Sequence, residues 1–312
     1  MEQQFAGDIG MLIKLPFKKY DQYIGYSAPP KLSTYLVIDT LIKSYDRLYM
    51  DDSEKIVIVG DSFSDQDDFG YKNYLAHLLG HRITNIVFRI GNNQLNTAIS
   101  LLNSGIIDSA TCRILILQVV GRHAIEKLRD IDLDLLYELP KTDFEIEKIK
   151  DNSDLHNLFS FIRLRVNYEN PIHNSNLEQS FFTHSFLSRK VFYTDEDLRF
   201  RYLSKADIDK AQENLLLLSR RFSEKGIQMI FLIAADKYDV YRPFMTDHSL
   251  PVDTTTDGLS NIPDVCVIDT KPLFQKMIRN GEKDVYMLHD SHWSYKGSEA
   301  VAHELFRHIN EK

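Results

Sequence analysis

The chain has 312 residues, of which 43% are hydrophobic and 26% are charged, and these ordinary globular values exclude a largely disordered chain. The formal net charge of -8 argues against a nucleic-acid partner bound through its phosphates. Because no apolar run is long enough to span a membrane and the N-terminus lacks a signal-peptide pattern, we expect a soluble chain without a targeting segment.

Residues 1–54 are predicted to be an irregular lead-in followed by a helix that packs on the core. From Lys55 onward, β-branched runs alternate with amphipathic segments, which predicts parallel βαβ crossovers with helices on both faces of a sheet. The fold class is therefore α/β, a three-layer sandwich with a mostly parallel five-stranded sheet. Its predicted strands are residues 55–59, 85–90, 112–120, 228–234 and 265–269.

We predict one domain over residues 55–312, with an insertion at about 124–205. The insertion contains a charged segment and a predicted helix from Leu155 to Val166. Loop-rich insertions of this length often form a lid or a substrate wall. No nucleotide-binding fingerprint occurs, and the acidic residues Asp65, Asp67 and Asp68 lack the spacing of a known metal-binding loop, so we predict no cofactor and no metal. The two cysteines, Cys112 and Cys266, are predicted to be core residues of strands rather than a disulfide.

The first candidate site residue is Ser62, which follows the buried run Ile56 to Val59. A serine at the carboxyl end of a parallel strand is presented at the crevice where open α/β sheets bind ligands. Gly60 permits a tight turn, and a following helix brings backbone N–H groups close to a ligand. This pattern predicts a displayed nucleophile, or alternatively a connecting turn in which Ser62 caps the helix.

A second motif, Asp290-Ser291-His292-Trp293, precedes the last predicted helix. A serine hydroxyl needs an imidazole to take its proton, and the imidazole needs a carboxylate to fix its tautomer. The required residue types are present as Ser62, Asp290 and His292. All three are expected at the same edge of one sheet, where they would lie close together. The alternative is that Asp290 is a solvated loop carboxylate and His292 is structural.

Together these two motifs resemble the SGNH/GDSL hydrolase superfamily. The Asp-x-His-Trp form and residues 233–241 resemble its alginate O-acetyltransferase-like branch, whose members acetylate exported polysaccharides. The resemblance implies a flavodoxin-like SGNH hydrolase fold, with Ser62 as the nucleophile and Asp290 and His292 completing a catalytic triad. It also implies that Gly91 lends a backbone N–H to the oxyanion hole.

Two features depart from the superfamily pattern. Its third motif, Gly-x-Asn-Asp, is absent after the third predicted strand, so the side-chain oxyanion donor is open among Arg122, Gln118 and Asn92. The Asp-x-His segment follows the serine, as in ordinary hydrolases, whereas in the alginate enzymes it precedes the serine.

Two further residues are candidates for substrate binding. Lys237 is expected either to hold a negatively charged sugar or an acyl carrier, or to be a solvent-exposed loop lysine. Trp293 is expected either to shape the acceptor site or to pack the final helix.

The predicted function is O-acetylation of a polysaccharide or sugar through an acyl-Ser62 intermediate, with an acetyl donor and a carbohydrate acceptor as partners. The long insertion and Trp293 favour the transferase over an esterase that uses the same residues on carbohydrate or small esters. The third alternative is a catalytically inactive carbohydrate-binding module. The enzymes of the branch that this chain resembles are usually exported. The resemblance therefore favours a periplasmic or cell-envelope location for this protein over a cytoplasmic one.

Overall fold

The computed structural model describes residues 55–66, 70–87, 93–136, 172–183, 186–288 and 290–311. Several predictions lie outside these ranges: the lead-in and helix over 1–54, the helix Leu155–Val166, the end of the second strand at 88–90, and the site residues Gly91 and Asn92.

Strands and helices alternate along most of the described chain. In chain order they are β1 (Ile56–Gly60), α1 (Tyr71–Leu79), β2 (Thr84–Val87), α2 (Gln94–Asn103), β3 (Ile114–Val120), α3 (Gly121–Arg129), β4 (Ile172–Asn176), β5 (Lys190–Thr194), α4 (Lys205–Glu224), β6 (Gln228–Ala234), α5 (Lys237–Tyr241), β7 (Cys266–Asp269), α6 (Thr270–Arg279) and α7 (Tyr295–Asn310). Short 3₁₀ segments lie at Asp195–Tyr202, Arg242–Phe244 and Leu259–Asn261.

Five strands form one parallel sheet in the order β2-β1-β3-β6-β7. The chain leaves β1 toward β2 on one side and later returns to β3 on the other, so β1 and β3 flank the point where the strand order reverses. Ligands bind at the carboxyl ends of strands at such a switch point. The predicted α/β sandwich is therefore confirmed, and Ser62 follows the strand at its switch point.

Among the described residues, helices pack on both faces of the sheet. Alternate side chains of a strand point to opposite faces, so Ile56 and Ile58 join one apolar cluster while Val57 and Val59 join the other. Helices α1, α5, α6 and α7 contribute to the first cluster, and α2, α3 and α4 contribute to the second. Strands β1 and β3 are buried on both faces and consist almost wholly of apolar residues. Such a continuous apolar run is typical of central strands in a parallel sheet.

The long helix α4 begins and ends at residues with local signals. The Ser204 hydroxyl accepts a hydrogen bond from the Asp207 N–H, and the Asp207 carboxylate accepts one from the Ser204 N–H, which forms a capping box. Past its other end, Gly226 has a φ of +73°, which favours glycine over any residue with a Cβ. Among the helices that the structure describes, none is both long enough and apolar enough to cross a membrane.

Helix α3 covers the first residues of the range predicted as an insertion. Its buried residues Ala124, Ile125 and Leu128 recur at helical spacing in a range that is predicted to be a loop-rich insertion. The antiparallel hairpin of β4 and β5 also falls in this range and forms a separate two-stranded sheet. Neither Cys112 nor Cys266 forms a disulfide.

Candidate active site

Ser62 is exposed in the turn that follows β1, between the buried residues Asp61 and Phe63. The turn requires glycine at position 60. A Cβ there would lie 2.5 Å from Ser64 Oγ and 2.7 Å from Gln118 Oε1, closer than real Cβ contacts allow. The packing at the end of β1 therefore leaves room for the backbone alone just before Ser62.

The Asp61 side chain holds this turn in place. Its Oδ1 accepts a hydrogen bond from Phe63 N at 3.1 Å, and its Oδ2 accepts from Val120 N at 2.9 Å and from Gln94 Nε2 at 3.2 Å. Lys127 Nζ in turn donates to Gln94 Oε1 at 2.7 Å. Because these partners belong to β3, α2 and α3, the nucleophile turn is tied to both neighbouring crossovers.

Ser62, His292 and Asp290 come together across the crevice. His292 Nε2 lies 2.8 Å from Ser62 Oγ, and His292 Nδ1 lies 2.6 Å from Asp290 Oδ1. Asp290 Oδ1 also accepts from His292 N at 2.9 Å. A carboxylate only accepts hydrogen bonds, so it selects the tautomer with the proton on Nδ1 and leaves Nε2 to accept the serine proton.

Burial restricts the movement of the His292 ring and of the Asp290 carboxyl. His292 is 7% exposed and Asp290 is 1% exposed. The ring of Phe63 packs against the imidazole with 4.7 Å between centroids. The serine thus faces solvent, whereas the groups that would act on its proton are enclosed.

Trp293 is buried and packs against the core. Its ring contacts Phe63 at 4.9 Å and Phe274 at 5.4 Å, and its Nε1 donates to Tyr286 Oη at 3.2 Å. With 1% exposure, the Trp293 side chain makes the buried contacts that the packing alternative predicts. Tyr286 Oη donates to Ala235 O at 2.5 Å, which connects this cluster to the end of β6.

Lys237 has an environment that neither of its predicted roles anticipates. It is 3% exposed, and its Nζ donates to the carbonyl oxygens of Met287, Leu288 and Asp290 at 3.0, 2.9 and 2.8 Å. The ammonium is thus neither a loop cation in solvent nor an open binding group. It lies against the segment that carries Asp290.

The oxyanion-donor candidates Gln118 and Arg122 occupy different settings. Gln118 Oε1 accepts from Asp61 N at 3.0 Å, and its buried Nε2 has no hydrogen-bond partner among the described residues. The Arg122 guanidinium donates to the carboxylates of Asp236 and Asp197. Burial lowers the pKa of Arg122, but these carboxylates outweigh it and raise that pKa above its usual value. Gln118 Nε2 therefore keeps a donor to offer, while Arg122 is engaged in an ion-pair cluster.

Sequence reasoning assigned no role to Asp61 or Gln66. Gln66 is buried, and its amide joins Trp293 and Ser298 to the nucleophile turn. The Gly-Asp-Ser motif drew attention to Asp61, but no local signal identifies Gln66, because both of its partners are distant in the chain.

A family model of known proteins matches part of the chain. Residues 191–312 match the family model of the SGNH hydrolase-like domain of the acetyltransferase AlgX, and no curated protein matches the chain. The matched range includes Lys237, Asp290 and His292, whereas Ser62 precedes it. The match supports an acyl-transfer or esterase-type function in general. It confirms the resemblance of this chain to the alginate O-acetyltransferase-like branch of the SGNH hydrolase superfamily.

Proposed function

We propose that the protein transfers an acetyl group to a hydroxyl of a polysaccharide or sugar, through a covalent acetyl-Ser62 intermediate. The observation that carries the proposal is the 2.8 Å contact between His292 Nε2 and Ser62 Oγ, with Asp290 on the other ring nitrogen at 2.6 Å. Such a chain of contacts is what a nucleophilic serine requires.

In the first half-reaction, Ser62 Oγ attacks the carbonyl carbon of an acetyl ester or thioester as its proton passes to His292 Nε2. The Asp290 carboxylate stabilises the imidazolium that forms. The negative charge on the tetrahedral oxygen is stabilised by the Ser62 N–H and, in this proposal, by the Gly91 N–H. The intermediate collapses when the donor's leaving group takes the proton from His292, which leaves acetyl-Ser62.

In the second half-reaction, a sugar hydroxyl gives its proton to His292 Nε2 and attacks the acetyl carbon. The bond from Ser62 Oγ to the acetyl group then breaks, and His292 returns the proton to the serine. The product is an O-acetyl sugar, and the enzyme is restored. Water in place of the sugar would yield acetate.

Ester hydrolysis is the second candidate function, and the exposure of Ser62 favours it. A transferase has to keep water from the acyl-enzyme, since water and a sugar hydroxyl compete for the same acetyl carbon. The inactive carbohydrate-binding module remains the non-enzymatic alternative.

A paired assay tests the three functions. Wild type and Ser62→Ala are incubated with 4-nitrophenyl acetate, with and without a neutral or uronic-acid oligosaccharide, and the sugar is then analysed by mass spectrometry. Ser109→Ala, a change at an exposed serine in the connection between α2 and β3, is the matched control. The transferase predicts acetyl groups on the sugar with wild type and with the control, and none with Ser62→Ala.

The other outcomes separate the alternatives. Acetate release that sugar does not change, and that Ser62→Ala abolishes, identifies the esterase. Equal turnover by wild type and Ser62→Ala overturns the acyl-Ser62 mechanism and leaves the binding module.

A further inference from the structure

Lys237 is a buried cation whose contacts converge on one loop. It is the first residue of α5 and follows the end of β6 after two residues. Its Nζ donates to the carbonyl oxygens of Met287, Leu288 and Asp290, all within 3.0 Å. These three residues lie just before His292 in the chain. The ammonium therefore contacts the backbone of the loop that carries Asp290 and His292.

Three carbonyl acceptors match the donor capacity of an ammonium. A protonated lysine has three N–H donors, whereas the neutral amine has two. Burial of such a group is costly unless its donors are satisfied, and buried carbonyls without donors are costly as well. The lysine and the loop therefore stabilise each other, and neither would keep this arrangement alone.

The end of β6 supplies the rigid base for this contact. Ala235, Asp236 and Lys237 are consecutive, and each is bonded to a different part of the crevice. Ala235 O accepts from Tyr286 Oη at 2.5 Å, and Asp236 Oδ2 accepts from Arg122 N at 2.6 Å. Lys237 reaches the segment between Tyr286 and His292, whose described residues form no regular strand and include the isolated bridge of Tyr286 with Trp293.

We propose that Lys237 is a positioning residue, whose ammonium shapes the loop so that Asp290 and His292 face Ser62. The inference rests on the proposed function for the catalytic roles of these three residues. The three carbonyl contacts of Lys237 are made to the backbone, and not to Ser62 Oγ or to the His292 ring. It acts through the backbone carbonyls, and a displacement of about 1 Å at a reacting group from a change outside the chemistry can cost about 100-fold in rate.

The first test compares Lys237→Met with Lys205→Met, an identical substitution at an exposed lysine of α4, and with Ser62→Ala. Lys237→Met keeps most of the side-chain volume and removes the charge and the donors. We expect kcat for 4-nitrophenyl acetate to fall about 100-fold with a smaller change in KM, since positioning acts on the chemical step. Lys205→Met should retain the wild-type values. A wild-type kcat in folded Lys237→Met overturns the proposal.

A second readout does not depend on activity. The proton between His292 Nδ1 and Asp290 should give a downfield ¹H NMR signal, assigned by its absence in His292→Gln. We expect Lys237→Met to lose or shift this signal and Lys205→Met to keep it. If Ser62→Ala remains active, the proposed function fails while this signal still tests Lys237. An unchanged signal in Lys237→Met overturns the positioning role by itself.

Chemical rescue separates positioning by charge from simple filling of space. Lys237→Ala leaves a cavity that propylammonium can occupy, and propan-1-ol is its neutral analogue of similar size. We expect propylammonium, and not propan-1-ol, to restore turnover and the downfield signal. Equal restoration by both compounds would show that Lys237 only fills volume.

Discussion

Gln66 Nε2 donates a hydrogen bond to Trp293 O at 2.9 Å, across 227 positions of the chain. The other end of the same amide, Oε1, accepts from Ser298 Oγ at 3.1 Å. Gln66 follows Ser62 by four residues, and Trp293 directly follows His292. One buried side chain therefore connects the turn of the candidate nucleophile with the loop of the candidate base and with α7.

Substitution of Gln66 should weaken both stability and catalysis. Gln66→Leu removes two buried hydrogen bonds and leaves Trp293 O without this donor, which should lower the free energy of unfolding by about 2 kcal/mol. Urea unfolding measures the change, and kcat should fall because the two loops lose a direct connection. The control is Gln228→Leu, since the buried Nε2 of Gln228 has no partner among the described residues. A larger loss in the control would contradict the prediction.

Removal of the Asp61 charge should destabilise the nucleophile turn. In Asp61→Asn an NH₂ group replaces one carboxylate oxygen. An NH₂ group cannot accept a hydrogen bond, so either Phe63 N or Val120 N loses its acceptor. Hydrogen bonds to a buried carboxylate are strong, so we expect a loss of about 2 kcal/mol in the free energy of unfolding. Asp132→Asn changes an exposed aspartate that accepts from Asp134 N, and it should cost much less. Comparable losses in the two variants would show that the buried network contributes little.

Asp290→Asn should impair turnover without unfolding the protein. The amide cannot stabilise the imidazolium, and its NH₂ group favours the wrong tautomer of His292, so kcat should fall about 10⁴-fold. Stopped-flow or steady-state release of 4-nitrophenol measures the loss, and circular dichroism checks the fold. The matched control is Asp195→Asn, which alters the exposed pair of Asp195 with His173 Nε2 at 2.8 Å. Activity above a tenth of wild type in Asp290→Asn would remove Asp290 from the mechanism.

His123 should make the protein less stable in mild acid. Burial, with the positive charges of Arg122 and Lys127, lowers the pKa of His123 from 6.5 to about 4. Between these two pH values the unfolded chain binds more protons than the folded one, so this contribution to stability is present above pH 6.5 and is lost as the pH falls toward 4.

The measurement is urea unfolding at several pH values between 4.5 and 7.5. Wild type should lose more stability on acidification than His123→Gln, which has no such proton to bind. His81→Gln, at an exposed histidine after α1, should behave as wild type does. Parallel curves for wild type and His123→Gln would contradict the prediction.

Much of the sheet could be predicted because its strands carry strong local signals. Strand β6 has the predicted bounds, and β3 ends at the predicted residue, Val120. Helix α3 was missed because its few buried apolar residues lie among charged ones and the helix follows a strand without a break. A short amphipathic pattern in a charged stretch is a weak signal, and tertiary packing, chiefly against α4, stabilises that helix.

By itself, the sequence determined the α/β class, the five parallel strands and the residue types that the chemistry needs, because strand periodicity, glycine turns and short motifs are local properties. Only the tertiary structure decided what each side chain faces. It buried Trp293 in the core and Lys237 under the loop of Asp290, although both were expected near substrate as one of two alternatives. The physical reason is that burial and hydrogen-bond partners come from residues distant in the chain, such as Met287 for Lys237 and Trp293 for Gln66.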